Sequence, residues 1–69
     1  MEISARNQLT GTVRSVQLGT IMAEVVVDVG GQEMVAAITR GSAERLGLRE
    51  GTEATLVIKA TDIMVGTAS

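Results

Sequence analysis

From Ile21 to Val29 the chain alternates without a break. Ile21, Ala23, Val25, Val27 and Val29 share one parity, and Met22, Glu24, Val26 and Asp28 share the other. A period of two over nine residues, rich in β-branched side chains, predicts a strand with one buried face. The second face is half apolar, which suits a surface that a neighbour covers. The same reading extends in both directions. Leu9 to Leu18 forms a first strand in which Leu9, Gly11 and Val13 hold one parity and Val16 and Leu18 the other. A parity switch at Arg14-Ser15 is what a β-bulge produces. Gly19-Thr20 makes a tight turn into the second strand, and Gly30-Gly31 is a strong two-residue hairpin signal. Gln32 to Thr39 follows, apolar on both parities over Met34 to Ile38, as expected of a strand buried on two sides.

At Thr39 the period changes. In "TRGSAERLGL", Ala43 and Leu46 lie three apart, Thr39 or Ser42 is available as N-cap, and Gly47 stands where a helix stops. This predicts one helix of about two turns. "REGT" turns the chain into a fourth strand, Thr52 to Lys59, with Ala54, Leu56 and Ile58 on one face, and Thr61 to Gly66 reads as a fifth. Five short strands with a helix between the third and fourth is the order of an OB-like Greek-key barrel, an all-β fold class. No linker, repeat or low-complexity tract divides the 69 residues, so residues 1–69 are read as a single domain.

Composition changes this picture in one respect. A chain this short buries only roughly 60% of its unfolded surface and is marginal alone. Small scaffolds ordinarily add disulfides, a metal or a partner subunit. With no Cys and no His, disulfides and the usual zinc sites are excluded. Yet 45% of the residues are hydrophobic, none of them aromatic. The expectation is self-association, with part of the apolar surface placed between subunits. The net charge of −2 argues against a nucleic-acid or anionic-membrane binder. No run approaches the roughly 18 apolar residues of a membrane span, and "MEISARNQ" lacks the apolar region of a signal peptide. The expected location is the cytoplasm.

Two cations stand out. Lys59 is the one lysine of the chain, placed after the apolar run "TLVI". It either marks a strand end and reaches into water, or it is a partly buried cation that needs a counter-charge. Glu24, Asp28 or Asp62 are internal candidates for that charge. Arg6, within "SARNQ" (Ser4 to Gln8), poses the same choice between a solvated charge and a ligand. Ser4 and Asn7 alone are ordinary turn formers, and Thr39 and Ser42 alone are ordinary caps.

Together, "ISARNQLTGTV", "AAITRGSAERLGL" and "VIKATDIMV", in this order and spacing, resemble the molbindins, small molybdate-binding proteins. The same domain is fused to molybdate-responsive regulators and to the ATPase of molybdate importers. The likeness spans essentially the whole chain, and without DNA-binding or ATPase segments it looks like the free-standing form. The resemblance implies a homohexamer, a trimer of dimers, with oxyanions bound at subunit interfaces. It implies Ser4 and Arg6 from one subunit, and Thr39, Ser42, Lys59 and the backbone N–H of Ala60 from its neighbour. A second class of site near the threefold axes is also implied, without assignable residues.

The residue types suit such an anion. Molybdate at neutral pH is a fully deprotonated tetrahedral dianion that accepts hydrogen bonds and donates none. Lys59 and Arg6 match its charge, while Ser4, Thr39, Ser42 and Ala60 N–H add neutral donors. The free N–H groups and positive dipole end expected at the start of the short helix favour an anion beside Thr39 and Ser42. No catalysis is expected, since general acid–base work near pH 7 mostly uses His or tuned carboxylates. No resident cofactor is expected. The competing readings are an OB-fold nucleic-acid binder, which zero aromatics and an acidic balance disfavour, and a structural oligomerisation module without a physiological ligand.

Overall fold

The computed structural model describes residues 1–68. Four strands form one antiparallel sheet: β1 (Asn7–Leu18), β2 (Met22–Val29), β3 (Gln32–Thr39) and β4 (Glu53–Ile58), in the order β3-β2-β1-β4. A single helix, α1 (Arg40–Arg45), lies between β3 and β4. The β2–β3 hairpin turns at Gly30 and Gly31, both at positive φ, and Asp28 Oδ1 accepts the Gly31 N–H at 3.0 Å.

β1 is the organising strand. Its first half pairs with β4, from Asn7↔Ile58 to Thr12↔Glu53, and its second half pairs with β2, from Thr12↔Asp28 to Leu18↔Ala23. The register shifts between Val13 and Ser15, so the bulge falls at Arg14, where the parity of apolar residues changes. That extra residue lets Val13 and Val16 both face the core although they are three apart. The core is small: Val13, Val25 and Val27 are buried, with Val16, Val29, Ala36, Ile38, Leu48, Ala54 and Leu56 packed around them.

The helix is specified locally. Thr39 is its N-cap, accepting Ser42 N–H at 3.1 Å. Gly47, at φ 65°, ends it: Gly47 N–H reaches Glu44 O at 3.0 Å and Leu48 N–H reaches Ala43 O at 3.1 Å. This pair of bonds is a Schellman motif, which needs the left-handed residue that glycine supplies. Ala43 is the helix's buried contact with the sheet.

Two expectations are corrected. Thr61 to Gly66 does not form a fifth strand: Ala60–Asp62 is a 3₁₀ turn, and residues 63–68 join no ladder. The described sheet therefore has four strands and is open between β3 and β4, whose outer edges have no ladder partner. Second, β3 is not covered on both sides. Met34, Ala36 and Ile38 are half-buried, whereas Val35 and Ala37 are exposed, because none of the described elements covers that face. The β-propensity of the segment after Asp62 has nothing to pair with inside one chain, since pairing requires a neighbouring strand.

Candidate functional site

The six residues that the sequence singles out fall into two groups. Arg6 and Lys59 come together at one end of the sheet. The last pair of the β1–β4 ladder is Asn7↔Ile58, so Arg6 precedes one partner and Lys59 follows the other. Ser4 lies two residues before Arg6, and Ala60 opens the 3₁₀ turn after Lys59. The N–H of a residue that opens such a turn lacks a partner within it, which leaves Ala60 N–H as a donor. Ser4, Arg6, Lys59 and Ala60 are all exposed.

Like charges held close together repel, and these two flank the last pair of the β1–β4 ladder. Among the described residues Arg6 and Lys59 form no ion pair, whereas Arg14 pairs with Asp28 and Glu33 and Arg40 pairs with Glu44. Of the internal counter-charges considered for Lys59, Asp28 is engaged by Arg14 at 3.5 Å, and Glu24 and Asp62 make no ion pair with Lys59. Arg49, also without an ion pair among the described residues, lies apart from this cluster, before β4.

Thr39 and Ser42 lie at the other end of β1. Thr39 closes the β2–β3 ladder opposite Met22, and Arg40 N–H donates to Ile21 O at 2.7 Å, which ties this corner to the β1–β2 turn. β1 has twelve residues, so the two groups sit toward opposite ends of a strand of roughly 36 Å contour length, at about 3.3 Å per residue. One chain thus unites Ser4, Arg6, Lys59 and Ala60 but does not bring Thr39 and Ser42 to them.

Within the second group the hydroxyls are already ordered. Ser42 Oγ accepts from Thr39 Oγ1 at 2.8 Å and from Arg45 Nη2 at 3.4 Å. With its lone pairs engaged, the Ser42 hydroxyl has its proton left to donate outward. Arg45 was not among the residues the sequence singled out, although its i,i+3 spacing from Ser42 on a helix was the available signal. Replacing Thr39 by Ala removes the cap and the bond to Ser42. The expected cost is about 1 kcal/mol of stability, with Thr39→Ser close to wild type, read as the shift in urea midpoint.

The two groups supply cations and hydrogen-bond donors, which is chemistry for holding an anion. Among the described residues no group of His, Cys, Asp or Glu is placed to hold a metal ion. A separate cavity of about 320 Å³ between β3 and β4 is lined mainly by aliphatic side chains and contains none of the six residues. No helix of the described residues is long and apolar enough to cross a membrane.

Comparison with known proteins places these features in a family. Residues 3–65 match the TOBE domain model. The chain is 52% identical over 66 residues to molybdenum-pterin-binding protein 3 of Clostridium pasteurianum, covering 94% of this chain and 97% of that protein. Its fold is similar to that of a molybdate-binding protein from Sporomusa ovata, with a TM-score of 0.93, 45% identity, and coverage of 97% of this chain and all of the other. It is also similar to the cytoplasmic molybdate-binding protein ModG in its molybdate-bound form, with a TM-score of 0.84 and 43% identity, over 87% of this chain and 43% of that one. The chain belongs to the TOBE domain family and, within it, to the molbindins.

Proposed function

We propose that this protein binds molybdate, and tungstate equally, at sites shared between copies of the chain, and that it stores these oxyanions in the cytoplasm without catalysis. The observation that carries the reading is that Arg6 and Lys59 flank the end of one ladder and that, among the described residues, neither has a carboxylate partner. A dianion between them relieves their repulsion and matches their charge. The names of the relatives, molybdenum-pterin-binding and molybdate-binding, support the choice of ligand. The bare anion suits this chain better than a pterin, because the sequence has no aromatic residue on which a pterin ring could stack.

The donor set also supplies discrimination. Phosphate near pH 7 keeps a proton that needs an acceptor, and leaving it unpaired costs roughly 1–3 kcal/mol. Sulfate is unprotonated but smaller, so its rejection depends on a rigid cavity. Tungstate is nearly isosteric with molybdate and is accepted.

The separation of the two groups along β1 supports assembly. In this reading Thr39 and Ser42 of one copy meet Ser4, Arg6, Lys59 and Ala60 of another, in a hexamer built as a trimer of dimers. This divides the residues differently from the family resemblance, which sets Lys59 and Ala60 with Thr39 and Ser42. Subunit mixing separates the two arrangements. Lys59→Met mixed with Ser42→Ala, after verified subunit exchange, is expected to restore about a quarter of the sites by isothermal titration. Arg6→Ala mixed with Lys59→Met is expected to restore none. The reverse pattern would support the other division. No restoration in either mixture would place each site within one chain, or show that the alanine variant alone leaves binding intact.

A structural oligomerisation module is the second reading, motivated by the apolar residues left bare on β3. Elemental analysis of the purified protein for Mo and W decides between them: a module without a ligand carries neither.

A further inference from the structure

Two of the six candidate-site residues, Thr39 and Ser42, are held by a residue outside that set. Ser42 Oγ accepts from Thr39 Oγ1 at 2.8 Å and from Arg45 Nη2 at 3.4 Å. Thr39 Oγ1 in turn accepts Ser42 N–H at 3.1 Å. The Thr39 proton is therefore spent inside the pair, and the Ser42 proton is the one left for a ligand. A serine hydroxyl has one proton and two lone pairs. Both lone pairs of Ser42 are taken, so it can give a hydrogen bond but has no place to receive another.

Arg45 closes the second of those lone pairs, and its helix directs it there. Side chains three and four apart on an α-helix are neighbours, and the residues three and four before Arg45 are Ser42 and Gly41. Neither is a carboxylate. Arg40, by contrast, has Glu44 four residues on and pairs with it at 3.4 Å. Among the described residues Arg45 makes no ion pair, and its hydrogen bond goes to Ser42.

A hydroxyl that can only donate distinguishes two anions of equal charge. Molybdate has no proton. Monohydrogen phosphate is also a tetrahedral dianion, but it carries one proton that needs an acceptor. With Arg45 in place Ser42 offers none. Without Arg45 a lone pair of Ser42 is free to receive that proton.

We propose that Arg45 is a positioning and specificity-determining residue of the oxyanion site: it holds Ser42 as an obligate donor and so disfavours oxyanions that keep a proton. This rests on the proposed function in one respect, that Ser42 meets the anion. Arg45 acts through Ser42 rather than on the ligand. The competing account is that Arg45, in the last turn of α1, only complements the negative end of the helix. That account predicts a lower melting temperature when Arg45 is replaced and no change in anion preference.

Arg45→Met tests this, because methionine has a similar helix propensity and Arg45 is exposed. Molybdate is titrated calorimetrically near pH 8, where phosphate is mainly the monohydrogen dianion, with and without a large excess of phosphate at matched ionic strength. Both anions carry the same charge, so the lost cation weakens both alike and the competition reads the hydrogen bond. In Arg45→Met, phosphate is expected to compete at least about 5-fold more strongly, relative to molybdate, than in wild type, the low end of the cost of an unpaired donor. Adding Arg45→Met to Ser42→Ala, which has no hydroxyl to hold, is expected to leave the competition unchanged. Phosphate that competes no better against Arg45→Met than against wild type, including not at all, overturns the proposal. So does the same gain in the Ser42→Ala background, or a folded Arg45→Met that binds no molybdate, since either would make Arg45 a direct ligand. With molybdate bound by the wild type, these results remove only the role of Arg45 and leave the proposed function standing. A wild type that binds no molybdate sinks both.

Discussion

Lys59→Met weakens molybdate binding by at least ~10-fold in isothermal titration, with the fold unchanged. Methionine keeps an unbranched apolar stem of similar length, so the packing at the end of β4 is preserved and only the charge is removed. A hydrogen bond to a charged group is worth about 1.5–3 kcal/mol, and each 1.4 kcal/mol is a factor of ten in affinity. The loss is large because Arg6 is then the only cation left in the group, and one positive charge faces an anion of charge −2. Lys59 is exposed and belongs to no ion pair among the described residues, so its removal leaves no carboxylate stranded and little change in stability is expected. Wild-type affinity in this variant would take Lys59 out of the site and, with it, the observation on which the functional reading depends.

Gly11→Ala is the most damaging of the small changes to the fold, with an expected cost of about 3 kcal/mol, at the upper end for overpacking. Gly11 has the same parity as Val13 and lies where β1 passes from its β4 partners to its β2 partners. A Cβ there would collide with the carbonyl oxygen of Asp28 and lie 2.9 Å from side-chain carbons of both Val27 and Val29. The obstacle is backbone, so no rotamer change relieves it. A chain of this length has about 3–10 kcal/mol in total, and about 4–8 °C of melting temperature follows each kcal/mol. The melt followed by far-UV circular dichroism, at one fixed protein concentration, should therefore fall by about 12–24 °C. Gly41→Ala is the matched control: nothing lies within 4 Å of a Cβ at that helical position, and Ala is the better helix former by about 1 kcal/mol. A Gly11→Ala melt within a few degrees of wild type would mean that β1 is free to move away from β2 at this point.

Gly11 also illustrates the limit of pattern reading. Its parity placed it on the strand face with Val13, but nothing in the pattern said that a second backbone crosses there. The two cations are similar. "SARNQ" and "IKATD" each had a dull account, and their family resemblance pointed to an anion. Their adjacency follows from a ladder that joins residue 7 to residue 58.

What the sequence determined by itself is what local rules control. Alternation placed the first four strands to within two residues, the parity switch placed the bulge at Arg14-Ser15, and Gly47 placed the end of the helix, while its start was left between Thr39 and Ser42 until the fold showed Thr39 as the cap. These depend on side-chain periodicity and on a residue's own backbone preferences, which act over a few positions. Tertiary structure decided the rest. It put Arg6 beside Lys59, sent Thr39 and Ser42 to the far end of β1, left the outer face of β3 bare, and gave Ile63–Val65 no strand to pair with. Each of these is a matter of register between distant segments or of whether a second surface is present. A period of two is the same whether a face is covered by its own chain or by a neighbour's, so only the folded arrangement separates the cases.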